Sequence, residues 1–166
     1  TIKVFKFNAV KIRNITKGKL HMTKIDIGLK KIKTIFHISD VHIRTIKRHK
    51  EYRDVFSKVY KEIEKRKDDS VIYLGGDIVH AKLEMSPELI QMTSDFFRNL
   101  ADLAPTICIT GNHDCNLNNR HRLDALSPII DNLNHPNFHY LMDSGVYEMG
   151  DCQFVVMSVF EGPEDY

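Results

Sequence analysis

A chain of 166 residues, 42% of them hydrophobic, is long enough to bury one core without staples. Its three cysteines (Cys108, Cys115, Cys152) are odd in number and scattered. They argue against a disulfide framework and for a reducing, intracellular compartment, cytoplasm or nucleus. No stretch is apolar enough to span a membrane, and no signal peptide is visible. The formal charge of +2 hides an asymmetry: residues 1–33 carry ten Lys/Arg against Asp26 alone, about +9, and the remainder is near −7. A basic arm on an acidic body suits a polyanion, nucleic acid or an acidic protein surface. A solvated pair of strands with Lys on the outer face has the same composition.

Taken in order, residues 2–15 alternate apolar and polar (Ile2, Val4, then Val10, Ile12), the pattern of one or two exposed strands. Thr16-Lys17-Gly18-Lys19 is a turn, and residues 20–33 read as a Lys-rich arm or linker. Thr34–Ile38 is a strand, followed by Ser39-Asp40-Val41-His42. Residues 50–67 form the clearest helix, with Tyr52, Val55, Phe56, Val59, Tyr60 and Ile63 in one apolar stripe. Val71–Leu74 is a second short strand, followed by Gly75-Gly76-Asp77-Ile78-Val79-His80. Ser86-Pro87-Glu88 signals a helix start that runs to about Leu103: an N-cap, a proline at the first helical position and an acid in the first turn.

Thr106–Ile109 is a third strand, bounded by Pro105 and running into Gly111-Asn112-His113-Asp114. A short helix over 123–133, interrupted at Pro128, comes next. Strands at 138–141, 145–149 and 153–160 follow, the last expected to be fully buried. The chain opens on Thr1 and stops at Tyr166 directly after that strand, as a piece cut from a longer protein would. Strand–helix alternation of this kind predicts a parallel sheet with covering helices.

In a parallel sheet the loops at the carboxyl ends of the strands face the ligand. Three successive strands deliver chemistry there: Asp40 and His42, then Asp77, then Asn112. Residues two apart on an extended segment share a face, so Asp40 and His42 can converge on one ion. Asp77 follows two glycines that allow a sharp turn and a close approach, and its two oxygens can bridge two metals. Oxygen donors mixed with imidazole, without a thiolate set, favour Mn²⁺, Fe or Zn²⁺. His113, beside Asn112, is better placed for phosphate, to stabilise charge or protonate a leaving oxygen. Such a two-metal centre clamps a phosphate and activates a water for in-line attack.

Together, Asp40-Val41-His42, Gly76-Asp77 and Gly111-Asn112-His113-Asp114 resemble the first three motifs of the calcineurin-like metallophosphoesterase superfamily, over residues 34–166. His80 in Gly-Asp-Ile-Val-His, with the opening Phe-His-Ile-Ser-Asp-Val-His-Ile, is similar to the DNA double-strand-break repair nucleases, the bacterial SbcD type and its counterpart, meiotic recombination eleven. The resemblance implies an α/β fold, a layered β-sandwich flanked by helices, of which this chain holds the N-terminal half. It implies Asp40, His42, Asp77 and Asn112 as ligands to two divalent ions, usually Mn²⁺, with Asp77 bridging. It also implies His113 and His80 against the scissile phosphate, DNA as substrate, an SMC-like ATPase as partner, and dimerisation.

The sequence departs from that pattern. The family completes its site with later histidines, including a Gly-His-x-His pair, whereas after Asp114 only His121, His135 and His139 remain, none in such a motif. They read as structural, Cys115 as an incidental thiol, and the isolated piece is expected to bind metal weakly and to have little activity. Residues 1–33 precede the family's usual start, leaving a basic arm ahead of a nuclease domain from residue 34. Two other readings of the same residues are a phosphomonoesterase or protein phosphatase, and a non-catalytic scaffold that binds DNA or a partner.

Overall fold

The computed structural model describes residues 2–5, 22–44, 48–80, 84–119 and 122–161. Its first layer is a five-stranded sheet built from β1 (Ile2–Phe5), β3 (Thr34–Ile38), β4 (Ser70–Leu74), β5 (Thr106–Ile109) and β6 (Phe138–Leu141), in the order β1-β3-β4-β5-β6. β3 to β6 run parallel, and β1 closes one edge antiparallel to β3. The second layer is a three-stranded sheet of β2 (Met22–Lys24), β7 (Gly145–Met149) and β8 (Cys152–Val156), in the order β2-β7-β8.

The strands of the large sheet are apolar on both faces because both faces are covered. Successive side chains alternate. Phe36, Ile38, Ile72, Leu74 and Cys108 therefore meet the helices α1 (His49–Glu64), α2 (Pro87–Leu103) and α3 (Ser127–Leu133). Ile35, Val71, Tyr73, Ile107 and Ile109 meet the small sheet through Met149, Val156 and Phe154. The fold is thus three layers, helices on sheet on sheet. No helix among the described residues is long and apolar enough to cross a membrane.

Helix α2 starts as its sequence dictates: Ser86 is extended (φ −72°, ψ 155°) and its hydroxyl accepts from Leu89 N–H at 3.3 Å, with Pro87 at the first helical position. Four local expectations are corrected. In α1 the buried stripe is Phe56, Val59 and Ile63, whereas Val55 is 52% exposed, because α1 lies on the sheet with a face narrower than its apolar set. Pro128 begins α3 rather than interrupting it; Asp124 Oδ1 accepts the first free amides, Leu126 N–H (2.7 Å) and Ser127 N–H (2.8 Å). Strand β8 ends at Val156 and alternates in burial instead of being fully buried, since it pairs with β7 alone. Within the stretch read as an arm or linker, β2 pairs with β7, and Ile27 and Ile32 are buried against the second sheet's core. The turn expected at 16–19 and most of the strand pattern over 2–15 lie outside the described residues.

Candidate metal centre

The loops after β3 and β4 are joined by backbone hydrogen bonds past the ends of the strands. His42 N–H donates to the Asp77 carbonyl (2.9 Å), Ile43 N–H to Ile78 (2.8 Å) and His80 N–H to Ile43 (3.1 Å). This carries the parallel pairing forward and aligns residues 40–42 beside 77–80. A helix behind them fixes the first loop: Tyr52 Oη donates to the His42 carbonyl (2.6 Å), and His49 Nε2–H to the Arg44 carbonyl (2.8 Å).

The backbone at this edge is unusual. Five described non-glycine residues have positive φ, and three of them are Asp40 (55°), His42 (48°) and Asp77 (54°). The left-handed region disfavours a side chain by roughly 1–2 kcal/mol per residue. Such strain concentrates at sites where side-chain direction matters more than local stability. The three residues whose conformation is costly are the three whose side chains converge: His42 Nε2 is 4.0 Å from Asp40 Oδ1 and 3.9 Å from Asp77 Oδ2. Those distances are too long for hydrogen bonds. They lie a little beyond the roughly 3.0–3.4 Å that separates donors sharing one ion with bonds of about 2.1 Å.

The third loop is held against the second by backbone contact and by one buried carboxylate. Gly76 (φ +81°) and Gly111 meet so closely that a Cβ on Gly111 would stand 2.2 Å from both Asp77 N and Asp77 Oδ1, and one on Gly76 would stand 2.6 Å from Gly111 N. Asp114, fully buried, accepts from Ile78 N–H (2.9 Å) and Val79 N–H (3.0 Å) through Oδ1 and from Gly111 N–H (2.9 Å) through Oδ2. Burial pushes its carboxyl up to about 6, against the pull of those amides. Asp77 Oδ1 accepts from His113 N–H (2.9 Å), which ties the Asp77 carboxylate to the third loop.

Asp40, His42 and Asp77 therefore form one group of ligand-type atoms, all within 4.8 Å of one another; His42, His80 and His113 form another within the same limit. The His42 ring meets His113 edge-on at 4.7 Å and His80 at 5.8 Å, and His80 and His113 lie nearly parallel at 5.9 Å. His113 Nδ1 faces the His80 carbonyl at 3.3 Å. His80 is lowered from its ordinary value, first by desolvation and then by Arg44, His42 and His113. Asn112 precedes His113 in the same turn and is exposed. His135 Nε2 meets Asp102 (3.0 Å), and His139 lies in β6 with a buried, unpartnered Nε2; neither belongs to the two groups above. His121 is outside the described residues.

The donor set fits a divalent cation. The two carboxylates bring charge, His42 Nδ1 is buried with no hydrogen-bond partner, and among the described residues neither group includes a cysteine. Two residues that hold the site carried no assigned role in the sequence. Tyr52 read as part of a helix stripe, and Asp114 as the tail of a loop motif. An Asp three residues after a glycine turn is a common backbone clamp, so Asp114 could have been found from turn chemistry.

The family model for calcineurin-like phosphoesterases matches residues 33–157. An uncharacterized protein of Acanthamoeba polyphaga mimivirus, R555, is 53% identical over 133 residues, which is 78% of this chain but 10% of that protein. The chain thus spans about a tenth of the length of the curated relative it matches. The matched segment contains every strand end that converges at the metal-type ligands, and the chain belongs to the calcineurin-like phosphoesterase family.

Proposed function

We propose that the chain supplies the N-terminal part of a metal-dependent phosphodiesterase site acting on DNA, in break repair or recombination. The observation that carries this reading is the convergence of Asp40, His42 and Asp77 from two strand ends, with His113 and His80 ranged beside them. Asp40, His42, Asp77 and Asn112 would hold two divalent ions, Mn²⁺ first among them. Bound there, the ions would neutralise a phosphodiester and lower the pKa of an attacking water. The protein's own part is orientation. Asp114 and the Gly76–Gly111 contact hold the three loops in register, and Tyr52 fixes the His42 carbonyl. His113 faces the phosphoryl oxygens, where it stabilises charge or protonates the leaving oxygen. His80, which lies beside His113, favours a diester over a monoester reading through the similarity of Gly-Asp-Ile-Val-His to the repair nucleases.

The resemblance implies that later histidines complete the site, so the 166 residues by themselves are expected to bind metal weakly and to turn over little. An SMC-like ATPase partner, dimerisation and an intracellular setting belong to the same reading and rest on the resemblance of the motifs. The test takes the longest natural form with Mn²⁺ and offers linear duplex DNA and a small aryl phosphate in parallel. DNA cleavage abolished by His113→Ala supports the nuclease. Turnover of the aryl phosphate alone replaces it with a phosphatase, and binding of DNA without turnover of either replaces it with a scaffold.

A further inference from the structure

The group His42, His80 and His113 has a composition of its own: three imidazoles and no carboxylate, with ligand-type nitrogens within 4.8 Å of one another. Oxygen-rich sets suit Mn²⁺ and Mg²⁺; imidazole sets suit Zn²⁺, Cu²⁺ and Ni²⁺. We propose that these three histidines form a second, alternative cation position selective for zinc-class ions, which shares His42 with the Asp40–His42–Asp77 group and so competes with it. This deepens the reading above and rests on it for the role of the carboxylate group.

The geometry permits it. A tetrahedral zinc ion with Zn–N bonds of about 2.0–2.1 Å places its nitrogens about 3.4 Å apart, so nitrogens that lie within 4.8 Å of one another need to close by at most about 1.4 Å. His80 supplies that freedom: it is exposed and lies outside any helix or strand, whereas His42 is fixed by the Tyr52 hydrogen bond and His113 by its amide on Asp77. His113 already has Nδ1 against the His80 carbonyl, which leaves Nε2 for an ion. Three imidazole ligands leave a fourth position open, the arrangement of zinc sites with an exchangeable ligand.

The consequence is mutual exclusion. His42 stands in both groups and can serve only one ion at a time, and an ion held by His80 and His113 occupies the nitrogens assigned to phosphate. Zinc bound there would thus act against the Mn²⁺-loaded state. Apolar contacts do not force this arrangement: the three rings are at the open carboxyl edge of the sheet, beyond the buried Ile43, Ile78 and Val79.

The test measures both ions on the full chain. Zn²⁺ affinity is read by competition with a chromophoric chelator, and Mn²⁺ affinity from the free-ion electron paramagnetic resonance signal. His80→Ala and Asp40→Ala both change exposed side chains. The expected pattern is crossed: His80→Ala weakens Zn²⁺ by at least about tenfold and Mn²⁺ by no more than about twofold, Asp40→Ala does the reverse, and Zn²⁺ displaces Mn²⁺ competitively from the unmodified chain. Zn²⁺ affinity within twofold of the parent in His80→Ala overturns the proposal. So does an equal loss of both ions in each variant, which would describe one shared site. A chain that binds Zn²⁺ through His80 but fails to bind Mn²⁺ upholds the His42–His80–His113 zinc position, and overturns both the competition and the metal reading of Asp40.

Discussion

The Asp114 carboxylate is the joint on which the site's geometry depends most. Replacing it with Asn keeps one oxygen for Ile78 and Val79 N–H but turns an amide donor toward Gly111 N–H, which now faces Oδ2 at 2.9 Å. An unsatisfied buried donor costs roughly 1–3 kcal/mol, so Asp114→Asn should lower stability by about 2 kcal/mol at pH 5. That cost depends on pH in a defined direction. The folded carboxyl is pushed up to about 6 from an ordinary 3.8. A raised carboxyl favours the folded state most below its unfolded value, and the advantage is lost as pH rises through the folded one. Asn does not titrate. Between pH 5 and 7.5 the parent should therefore lose about 1 kcal/mol that the variant keeps, and the gap between them should narrow. Urea denaturation of both chains at the two pH values measures it. The same variant releases the Gly111 turn from residues 78–79, so Mn²⁺ affinity should fall about tenfold. The reasoning is refuted if Asp114→Asn is within ~0.5 kcal/mol of the parent at pH 5, or if the gap widens toward pH 7.5.

Other substitutions separate the site from the scaffold. Gly111→Ala places a Cβ 2.2 Å from Asp77 N and Oδ1, and should cost more than ~2 kcal/mol in chemical denaturation because backbone, not a flexible side chain, must move. Tyr52→Phe removes the hydroxyl that holds the His42 carbonyl at 2.6 Å; a calorimetric Mn²⁺ titration should show affinity down roughly tenfold with about 1 kcal/mol of stability lost. Ser86→Ala deletes the α2 N-cap hydrogen bond and should cost about 1 kcal/mol in thermal or urea unfolding while leaving Mn²⁺ affinity within twofold. Equal effects of Ser86→Ala and Tyr52→Phe on metal binding would show that general destabilisation, not loop position, is being read.

The strands were legible because the sheet is covered on both faces. Thr34–Ile38 and Thr106–Ile109 are short apolar runs with sharp ends, and the structure places them at those bounds. The α2 start was equally clear, since Ser86-Pro87-Glu88 fixes it by local chemistry. What was not legible depends on partners distant in sequence. Val55 fits the apolar stripe of α1 but overhangs its packing face, and Val155 reads as core but sits on an edge strand paired on one side. Residues 22–33 look like an arm because their apolar residues are sparse, yet Ile27 and Ile32 reach the second core through pairing with β7.

At the site, residue types and spacing singled out Asp40, His42 and Asp77, which the structure brings within 4.8 Å of one another. The left-handed backbone at Asp40, His42 and Asp77 and the shared position of His42 between two ligand groups were not legible, because both arise from three loops meeting.

The central claim is that Asp40, His42 and Asp77 hold a divalent cation at the carboxyl edge of the sheet. A calorimetric Mn²⁺ titration of the full chain beside Asp77→Asn tests it most directly. The account predicts weak but saturable binding that Asp77→Asn reduces at least tenfold, with the far-ultraviolet spectrum unchanged. Saturable binding of equal strength in both chains would contradict it.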